Sequence, residues 1–224
     1  MREKVELEAK WSLRSESGFA AFRAEAVSLG ARPGRSRLIL IKDTYLDTRE
    51  DFFGRRRVSC RLRNAGGSWE LTLKSRTRLK KGVASRKERT CPLGRPKGLA
   101  AAMRRVRTRL QGIPGRESLR PVFTILNRRS VLPLRLPGGP AAECSFDRIV
   151  IRRGKRSLRM LEIELEFLKG RRERFGSFVR ALRGGPHFFP AARSKVATAL
   201  AAFSLERPAS GDPDEAFALA CSGS

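Results

Sequence analysis

The chain has 224 residues, 40% of them hydrophobic, which is enough for one large domain or two small ones with a sizeable core. It carries 49 lysine and arginine residues against 22 aspartate and glutamate residues, a formal net charge of +27 at pH 7. This excess predicts polyanionic partners, namely nucleic acid, an anionic membrane or small polyphosphates. An aromatic content of 7% argues against an RNA reader that stacks on bases.

Histidine and cysteine usage narrows the possible chemistry. His187 is the only histidine, which argues against a histidine triad or a histidine metal cluster. The cysteines are scattered without a CxxC pair, so we interpret them as free thiols in a reducing compartment and expect no zinc site; they are Cys60, Cys91, Cys144 and Cys221. The N-terminus has no apolar signal region and no apolar run could span a bilayer, so we expect a cytoplasmic protein without membrane contact.

The first predicted element is a strand over residues 4–11, in which polar and apolar residues alternate strictly. Glu6, Glu8 and Lys10 lie on one face, opposite Leu7 and Ala9. Two carboxylates on one strand face repel each other unless a cation lies between them. A solvated edge strand is the alternative interpretation of this segment alone.

The middle of the chain alternates further predicted strands with two helices. Basic residues, among them Arg61 and Arg63, share one face of the strand at 57–63, and Lys74 shares a face with Thr72 in the next strand. In chain order we predict a helix from 15 or 17 to 29, a β-rich segment at 38–47, strands at 57–63, 69–74 and 82–91, and a helix at 96–110.

The last third contains a second acidic strand, at 161–167, with Glu162, Glu164 and Glu166 on one face. Asp147 lies on the polar face of the strand before it. Two acidic strand faces in a basic chain are most simply explained by a shared divalent metal. The other elements that we predict here are one or two strands at 120–136, a strand at 142–152, helices at 170–182 and 193–203, and a flexible tail from 205 to 224.

This pattern predicts an α+β, mainly β fold. About eight strands are joined mostly by short turns without βαβ alternation, so the sheet should be antiparallel. A sandwich that exposes the charged faces to water is one alternative. A closed eight-stranded barrel with a charged lumen and helices covering its apolar outside explains more, because it brings the acidic and basic faces together.

Nine short motifs, in order from about residue 3 to 203, resemble the CYTH domains, also called triphosphate tunnel metalloenzymes. The opening Glu6-x-Glu8-x-Lys10 is the family's N-terminal motif. The others are Tyr45-x-Asp47-Thr48, Arg61-x-Arg63, Thr72-x-Lys74, Arg86-x-Glu88, Arg129, Asp147, Glu162-x-Glu164-x-Glu166 and Ser194-Lys195. Arg128 is an alternative to Arg129. The resemblance implies a single domain over 1–204.

The resemblance also implies a site and an activity. It makes Glu6, Glu8, Glu162 and Glu164 ligands of Mg²⁺ or Mn²⁺. It assigns substrate phosphates to Lys10, Arg61, Arg63, Lys74, Arg129 and Lys195, and catalytic roles to Glu6, Glu8, Lys10, Glu88 and Asp147. The expected activity is metal-dependent hydrolysis of inorganic triphosphate or an organic triphosphate. An adenylate cyclase of the same family and a noncatalytic polyphosphate- or RNA-binding module are the alternatives.

The sequence says less about other partners. We expect a monomer or a homodimer. The charge beyond the tunnel predicts weak, salt-sensitive binding of nucleic acid or long polyphosphate through arginines of two predicted helices, although a solvated surface explains them equally well. These residues are Arg104, Arg105, Arg107, Arg109, Arg171, Arg172 and Arg174.

Overall fold

The computed structural model describes residues 2–75, 78–80 and 83–220, and within them it forms eleven β-strands and six α-helices. Gly82 and Cys221 lie outside the described residues, as does the side chain of Arg86. The strands are β1 (Arg2–Leu13), β2 (Arg32–Pro33), β3 (Arg37–Asp47), β4 (Ser59–Ala65), β5 (Ser68–Lys74), β6 (Arg78–Lys80), β7 (Val83–Gly94), β8 (Arg120–Arg135), β9 (Ala141–Arg153), β10 (Arg156–Lys169) and β11 (Phe188–Pro190). The helices are α1 (Ser17–Ser28), α2 (Phe52–Arg55), α3 (Gly98–Arg109), α4 (Arg172–Ala181), α5 (Lys195–Ala202) and α6 (Pro213–Leu219).

Eight of the strands close into an antiparallel barrel, in the order β1-β10-β9-β8-β3-β4-β5-β7 and back to β1. The long first strand makes the closure, because residues 2–8 pair with β7 and residues 8–13 pair with β10. The short strands β2, β6 and β11 add to β8, β7 and β1. The closed eight-stranded barrel predicted from the sequence is therefore confirmed.

Helices bury the outward apolar residues of the barrel on two sides. On one side, Trp11 of β1 packs with Phe22 of α1 and Phe175 of α4 in a shared cluster. On the other, Leu71 of β5 packs in a cluster with Phe53 of α2 and Val106 of α3. Alternation along each strand then leaves the polar residues facing inward. This arrangement confirms the predicted helical covering of the barrel exterior.

Helix α6 lies in the segment that the sequence predicts to be a flexible tail. Asp212 caps the helix by accepting a hydrogen bond from the backbone N–H of Asp214, at 2.9 Å. Ala216 and Phe217 are buried in the cluster that contains Leu71. The sequence analysis did not predict this helix, because the polar composition of the segment conceals its aromatic anchor, and the flexibility of the segment stays a prediction.

Part of the barrel interior is apolar, which the sequence analysis did not predict. Tyr45 and Phe123 stack with ring centroids 4.6 Å apart, beside inward-facing Ile149. Helix α5 packs on these residues through Ala199 and Phe203. One helix therefore lies against inward-facing rather than outward-facing residues, and it carries Lys195 to the polar part of the interior.

The three described cysteines, Cys60, Cys91 and Cys144, are buried free thiols, as predicted. Burial raises the pKa of the Cys60 and Cys144 thiols well above the ordinary value, so both stay protonated at neutral pH. Among the described residues, no helix has the length and apolar character needed to cross a membrane.

Candidate active site

The residues predicted for the site fall on inward-facing strand positions or at the start of α5, and they form three ionic groups. The first group centres on Lys195. Its Nζ lies 2.7 Å from Asp147 Oδ2, 2.7 Å from Glu162 Oε1 and 2.8 Å from Glu164 Oε1. Oxygen atoms of these three carboxylates all lie within 4.8 Å of one another. A single ammonium therefore neutralises part of a cluster with three negative charges.

Arg129 and Lys10 complete the first group. Arg129 donates from Nε and Nη2 to the two oxygens of Asp147, at 2.7 and 2.6 Å, and from Nη2 to Glu164. Lys10 donates to Glu164 and lies 3.3 Å from Glu8 Oε1. Glu164 thus contacts three cations from three different elements.

Strand register explains this convergence. Arg129 on β8 lies directly opposite Asp147 on β9, which lies opposite Glu162 on β10. Lys10 lies opposite Glu164 in the β1–β10 pair. Directly opposed residues on one face have Cβ atoms about 5 Å apart, within reach of an ion pair.

The neighbouring Arg128 points the other way. It is exposed on the outer face of the barrel, while Arg129 lies inside with 14% of its side chain exposed. Of the two arginines left open by the sequence, Arg129 is therefore the one placed with the other predicted site residues.

The second group consists of Lys74, Glu6 and Glu88. Lys74 Nζ lies 3.0 Å from Glu6 Oε2 and 2.6 Å from Glu88 Oε2. Thr90 donates to the other oxygen of Glu88, at 3.1 Å. All three charged residues were predicted for the site, and the structure brings them together, but it places Glu6 with a lysine rather than with Glu162 and Glu164.

The third group contains a residue that the sequence analysis did not assign to the site, Asp43. Arg63 binds its carboxylate with two hydrogen bonds, at 2.7 and 2.9 Å, and Arg61 Nη1 lies 3.9 Å from Oδ2. Arg61 also donates to Thr72 Oγ1, at 3.1 Å. Asp43 shares the inward face of β3 with Tyr45, and this spacing was the available signal, but only the pairing of β3 with β4 reveals its partner.

Glu166 is a second acidic residue on the inward face that the sequence analysis left out of the predicted metal set. It lies opposite Glu8 in the β1–β10 pair and opposite Glu143 in the β10–β9 pair. The predicted ligand Glu8 is therefore nearer in register to Glu166 than to Glu162. The third glutamate of the acidic strand was visible in the sequence as part of the motif.

Asp47 and Thr48, in the same motif as Tyr45, have a structural role. Asp47 accepts backbone N–H groups from Thr48, Phe53 and Gly54, at 2.8 to 2.9 Å. These bonds hold the turn that leads into α2. The motif residues therefore fix the backbone after β3 and lie apart from the three ionic groups.

The charges of the first group determine its protonation. Burial alone raises the pKa of Glu164, but Lys10, Lys195 and Arg129 outweigh burial and hold that pKa well below its usual range. Burial opposes ionisation of Asp147 too, yet Lys195 and Arg129 lower its pKa. Burial raises the pKa of Glu162, which Lys195 and Lys10 only partly offset. The first group therefore contains at least two carboxylates that are ionised at neutral pH.

The donor set fits Mg²⁺ or Mn²⁺. Three carboxylates supply the hard oxygen ligands that these ions prefer. Glu162 is fully buried; its Oε1 lies 2.7 Å from Lys195 Nζ, while its Oε2 has no hydrogen-bond donor among the described residues. A buried carboxylate oxygen without a partner is costly unless a further cation binds it. Asp147, Glu162 and Glu164 therefore form the best-supported place for a divalent ion.

Comparison with known proteins places this chain in a family. The model of the CYTH domain matches residues 4–183, and the chain belongs to the CYTH domain family. A search of curated proteins gave no match.

Solved structures agree in fold. HpAC1 from Hippeastrum, named as an adenylyl cyclase and described as having a dominant triphosphatase activity, is 18% identical, with a TM-score of 0.59 over 88% of this chain and 96% of that chain. The PH1819 protein from Pyrococcus horikoshii is 15% identical, with a TM-score of 0.54 over 87% of this chain and 99% of that chain. At these identities the likeness shows a shared barrel fold.

Proposed function

We propose that the protein is a metal-dependent triphosphatase whose substrate lies inside the barrel. The observation that carries the proposal is that the interior holds unsatisfied groups of both signs. Among the described residues, the buried Oε2 of Glu162 has no hydrogen-bond donor and the buried Nε of Arg61 has no acceptor. A cation bound with an anion of several charges satisfies both. A metal–polyphosphate complex has this composition.

The basic residues supply the phosphate contacts. Arg61, Arg63 and Arg129 present guanidinium forks, which match phosphate oxygens in pairs, while Lys10, Lys74 and Lys195 act as point charges. The lysines are 12 to 13% exposed and come from β1, β5 and α5. The six basic residues are distributed over three ionic groups, which suits an extended chain of phosphates better than a single phosphate.

The carboxylates supply the other half of the site. Asp147, Glu162 and Glu164 would hold the divalent ion, with Glu8 and Glu6 on the adjoining strand. When bound, the ion neutralises phosphate oxygens and assists the attack of water. Asp147 and Glu88 also orient Arg129 and Lys74 through their ion pairs. The predicted catalytic set, Glu6, Glu8, Lys10, Glu88 and Asp147, stays a proposal.

Most acids and bases of the site pair with one another. Lys10, Lys195 and Arg129 all contact Glu164, so binding must exchange carboxylate–cation pairs for carboxylate–metal and cation–phosphate pairs. Loss of one partner alone would leave a buried charge unpaired, which is costly. Metal and substrate should therefore bind with positive cooperativity, and the binding energy should depend on the length of the phosphate chain.

Catalytic efficiency on a substrate panel tests the proposal. The panel contains inorganic triphosphate, ATP, thiamine triphosphate and ADP, each with Mg²⁺ and with Mn²⁺. We expect triphosphates to be preferred strongly over ADP, with inorganic triphosphate at least as good as ATP. Turnover of ADP equal to that of ATP, or formation of cyclic AMP as the main product from ATP, would contradict the assignment.

A further inference from the structure

One sector of the barrel exterior, on strands β3, β8, β9 and β10, carries a dense set of cations. On β8 and β9, Arg128 lies directly opposite Arg148, and Leu126 lies opposite Val150. On the flanking strands, Arg159 lies opposite Val150 and Lys42 lies opposite Leu126. We call this sector the outer strip; its outward residues are Leu38, Leu40, Lys42, Leu126, Arg128, Arg148, Val150, Arg152, Arg159 and Leu161.

The outer strip contains no acidic residue among these outward positions. The nearby Glu16 neutralises one cation, because both of its oxygens accept hydrogen bonds from Arg148, at 2.7 and 2.8 Å. Opposed like charges such as Arg128 and Arg148 destabilise a sheet unless a counter-charge is present. One carboxylate for five cations leaves a large positive excess on this surface.

Four of the cations are available to a ligand. Arg128, Arg152, Arg159 and Lys42 are exposed, and none makes an ion pair or a side-chain hydrogen bond with any residue that the structure describes. They contrast with the tunnel cations, each of which is held by a carboxylate. The strip continues into the turn between β9 and β10, where Arg153 and Lys155 are also exposed.

The surface of the strip is also indented and partly apolar. A cavity of about 540 Å³ lies against it, lined by Arg14, Glu16, Arg128, Arg148 and Arg159 together with apolar residues. Leu38 and Leu40, beside the cations on β3, are 54% and 68% exposed. The strip therefore combines exposed guanidinium groups with an adjoining apolar surface.

We propose that the outer strip binds the phosphodiester backbone of a single-stranded nucleic acid. Arginines on the three neighbouring strands β8, β9 and β10 supply phosphate contacts along an extended path, and the aliphatic residues between them contact sugars and bases without selecting among them. The surface is aliphatic rather than aromatic, so affinity comes from charge and falls steeply with salt. This binding is separate from the proposed hydrolysis, because the strip faces away from the tunnel.

Two other occupants fit the strip less well. A second copy of the chain bound through the same face would bring two sets of cations together, which costs electrostatic energy. An anionic membrane would attract the cations, but Leu38 and Leu40 lie within a β-sheet rather than on a projecting loop, so they cannot enter the acyl region. An extended polyanion matches both the charge and the indented sheet surface.

Fluorescence anisotropy tests the proposal with a labelled oligothymidylate about 20 nucleotides long, longer than one strip can cover. The strip variant carries Arg128→Gln, Arg152→Gln and Arg159→Gln. The matched control carries Arg104→Gln, Arg109→Gln and Arg172→Gln, three exposed arginines on α3 and α4 with the same loss of charge. Circular dichroism and thermal unfolding verify that both variants are folded.

The strip variant should bind the oligonucleotide at least about tenfold more weakly. The magnitude of its slope of log affinity against log salt should also fall by about 2, because each of the three lost phosphate contacts contributes about 0.7 to that slope. The control should change affinity less than about twofold, since its arginines lie outside the strip. Equal losses in the two variants, or no loss in the strip variant, would overturn the proposal. Loss of binding to phosphatidylserine vesicles with unchanged oligonucleotide binding would overturn it in favour of a membrane.

Discussion

Lys195, the first residue of α5, places its ammonium 2.7 Å from Asp147 Oδ2 near the middle of β9. A helix that packs on the apolar part of the interior thus supplies the central cation of the carboxylate cluster. Burial alone lowers the pKa of Lys195, but Asp147, Glu162 and Glu164 outweigh it and raise that pKa well above the ordinary value. Lys195 is therefore the cation that stabilises the carboxylate cluster.

The first prediction follows from this contact. Lys195→Met should lower the free energy of unfolding in chelator by about 3–5 kcal/mol, because it leaves buried carboxylates without their cation. Mg²⁺ or Mn²⁺ should then raise the melting temperature of the variant more than that of the wild type. The matched control is Lys155→Met at an exposed turn. An equal response of wild type and Lys195→Met to metal would contradict this account of the cluster.

A second prediction concerns Arg63 as a phosphate ligand. Arg63→Ala should lower catalytic efficiency by roughly tenfold to a hundredfold, the equivalent of about 1.5–3 kcal/mol for hydrogen bonds to a charged group. The factor should be the same for inorganic triphosphate, ATP and thiamine triphosphate, since the lost contact is to phosphate. The double variant Asp43→Asn with Arg63→Ala controls for the buried carboxylate that Arg63→Ala leaves unpaired. A loss confined to ATP would show that Arg63 recognises the organic group of the substrate instead of its phosphates.

Asp43 gives a prediction about pH. Burial alone raises its pKa, but Arg61 and Arg63 outweigh burial and lower that pKa below the ordinary value. Its ion pairs therefore stabilise the fold fully above the unfolded pKa of about 3.9, and the contribution is lost as the pH falls through the lower folded pKa. The difference in unfolding free energy between wild type and Asp43→Asn should be largest at neutral pH and should shrink in acid.

Urea unfolding of both proteins across this range measures that difference. Asp43→Asn should be the less stable protein at neutral pH by about 3 kcal/mol, since the buried Arg61 and the half-buried Arg63 lose their partner. A difference that stays constant from neutral pH down to the most acidic pH at which both fold would show that Asp43 is not the titrating group.

A substitution at Phe217 tests the packing of the C-terminal helix α6. Its side chain is buried, and the backbone oxygen of Phe217 accepts a hydrogen bond from Arg89 on β7. Phe217→Ala should lower the free energy of unfolding by about 3–5 kcal/mol. The control is Phe189→Ala, because Phe189 is 41% exposed. Equal stability of Phe217→Ala and the wild type would show that the segment after residue 205 contributes nothing to the fold.

The sequence predicted the barrel and most of the interior because alternation determines which residues face inward. Glu162 and Glu164 could be assigned to one face from spacing alone, and so could Arg61 and Arg63. Contacts between strands depend on the register of one strand against the next, which the spacing of residues along a single strand does not determine. The bond of Asp43 to Arg63 depends on the register of the β3–β4 pair, and the bond of Glu6 to Lys74 joins strands that come together only when β1 pairs with β7 to close the barrel.

Helix packing was less predictable than the strands. The residues of α5 have an ordinary apolar stripe, which does not reveal whether the helix covers the outside of the barrel or lies against its interior. Phe203 and Ala199 pack inward because Tyr45, Ile149 and Phe123 offer an apolar surface there. Similarly, the composition around α6 favoured disorder, while one buried phenylalanine anchors the helix.

The most direct test of the central claim measures phosphate release from inorganic triphosphate by the wild type and Glu164→Gln, with Mg²⁺, with Mn²⁺ and with chelator. Glu117→Gln, at an exposed glutamate, is the control. We predict turnover by the wild type and the control only with metal, and a loss of roughly a hundredfold or more in Glu164→Gln, which stays folded. Full activity of the wild type in chelator, or full activity of Glu164→Gln with metal, would contradict the proposed mechanism.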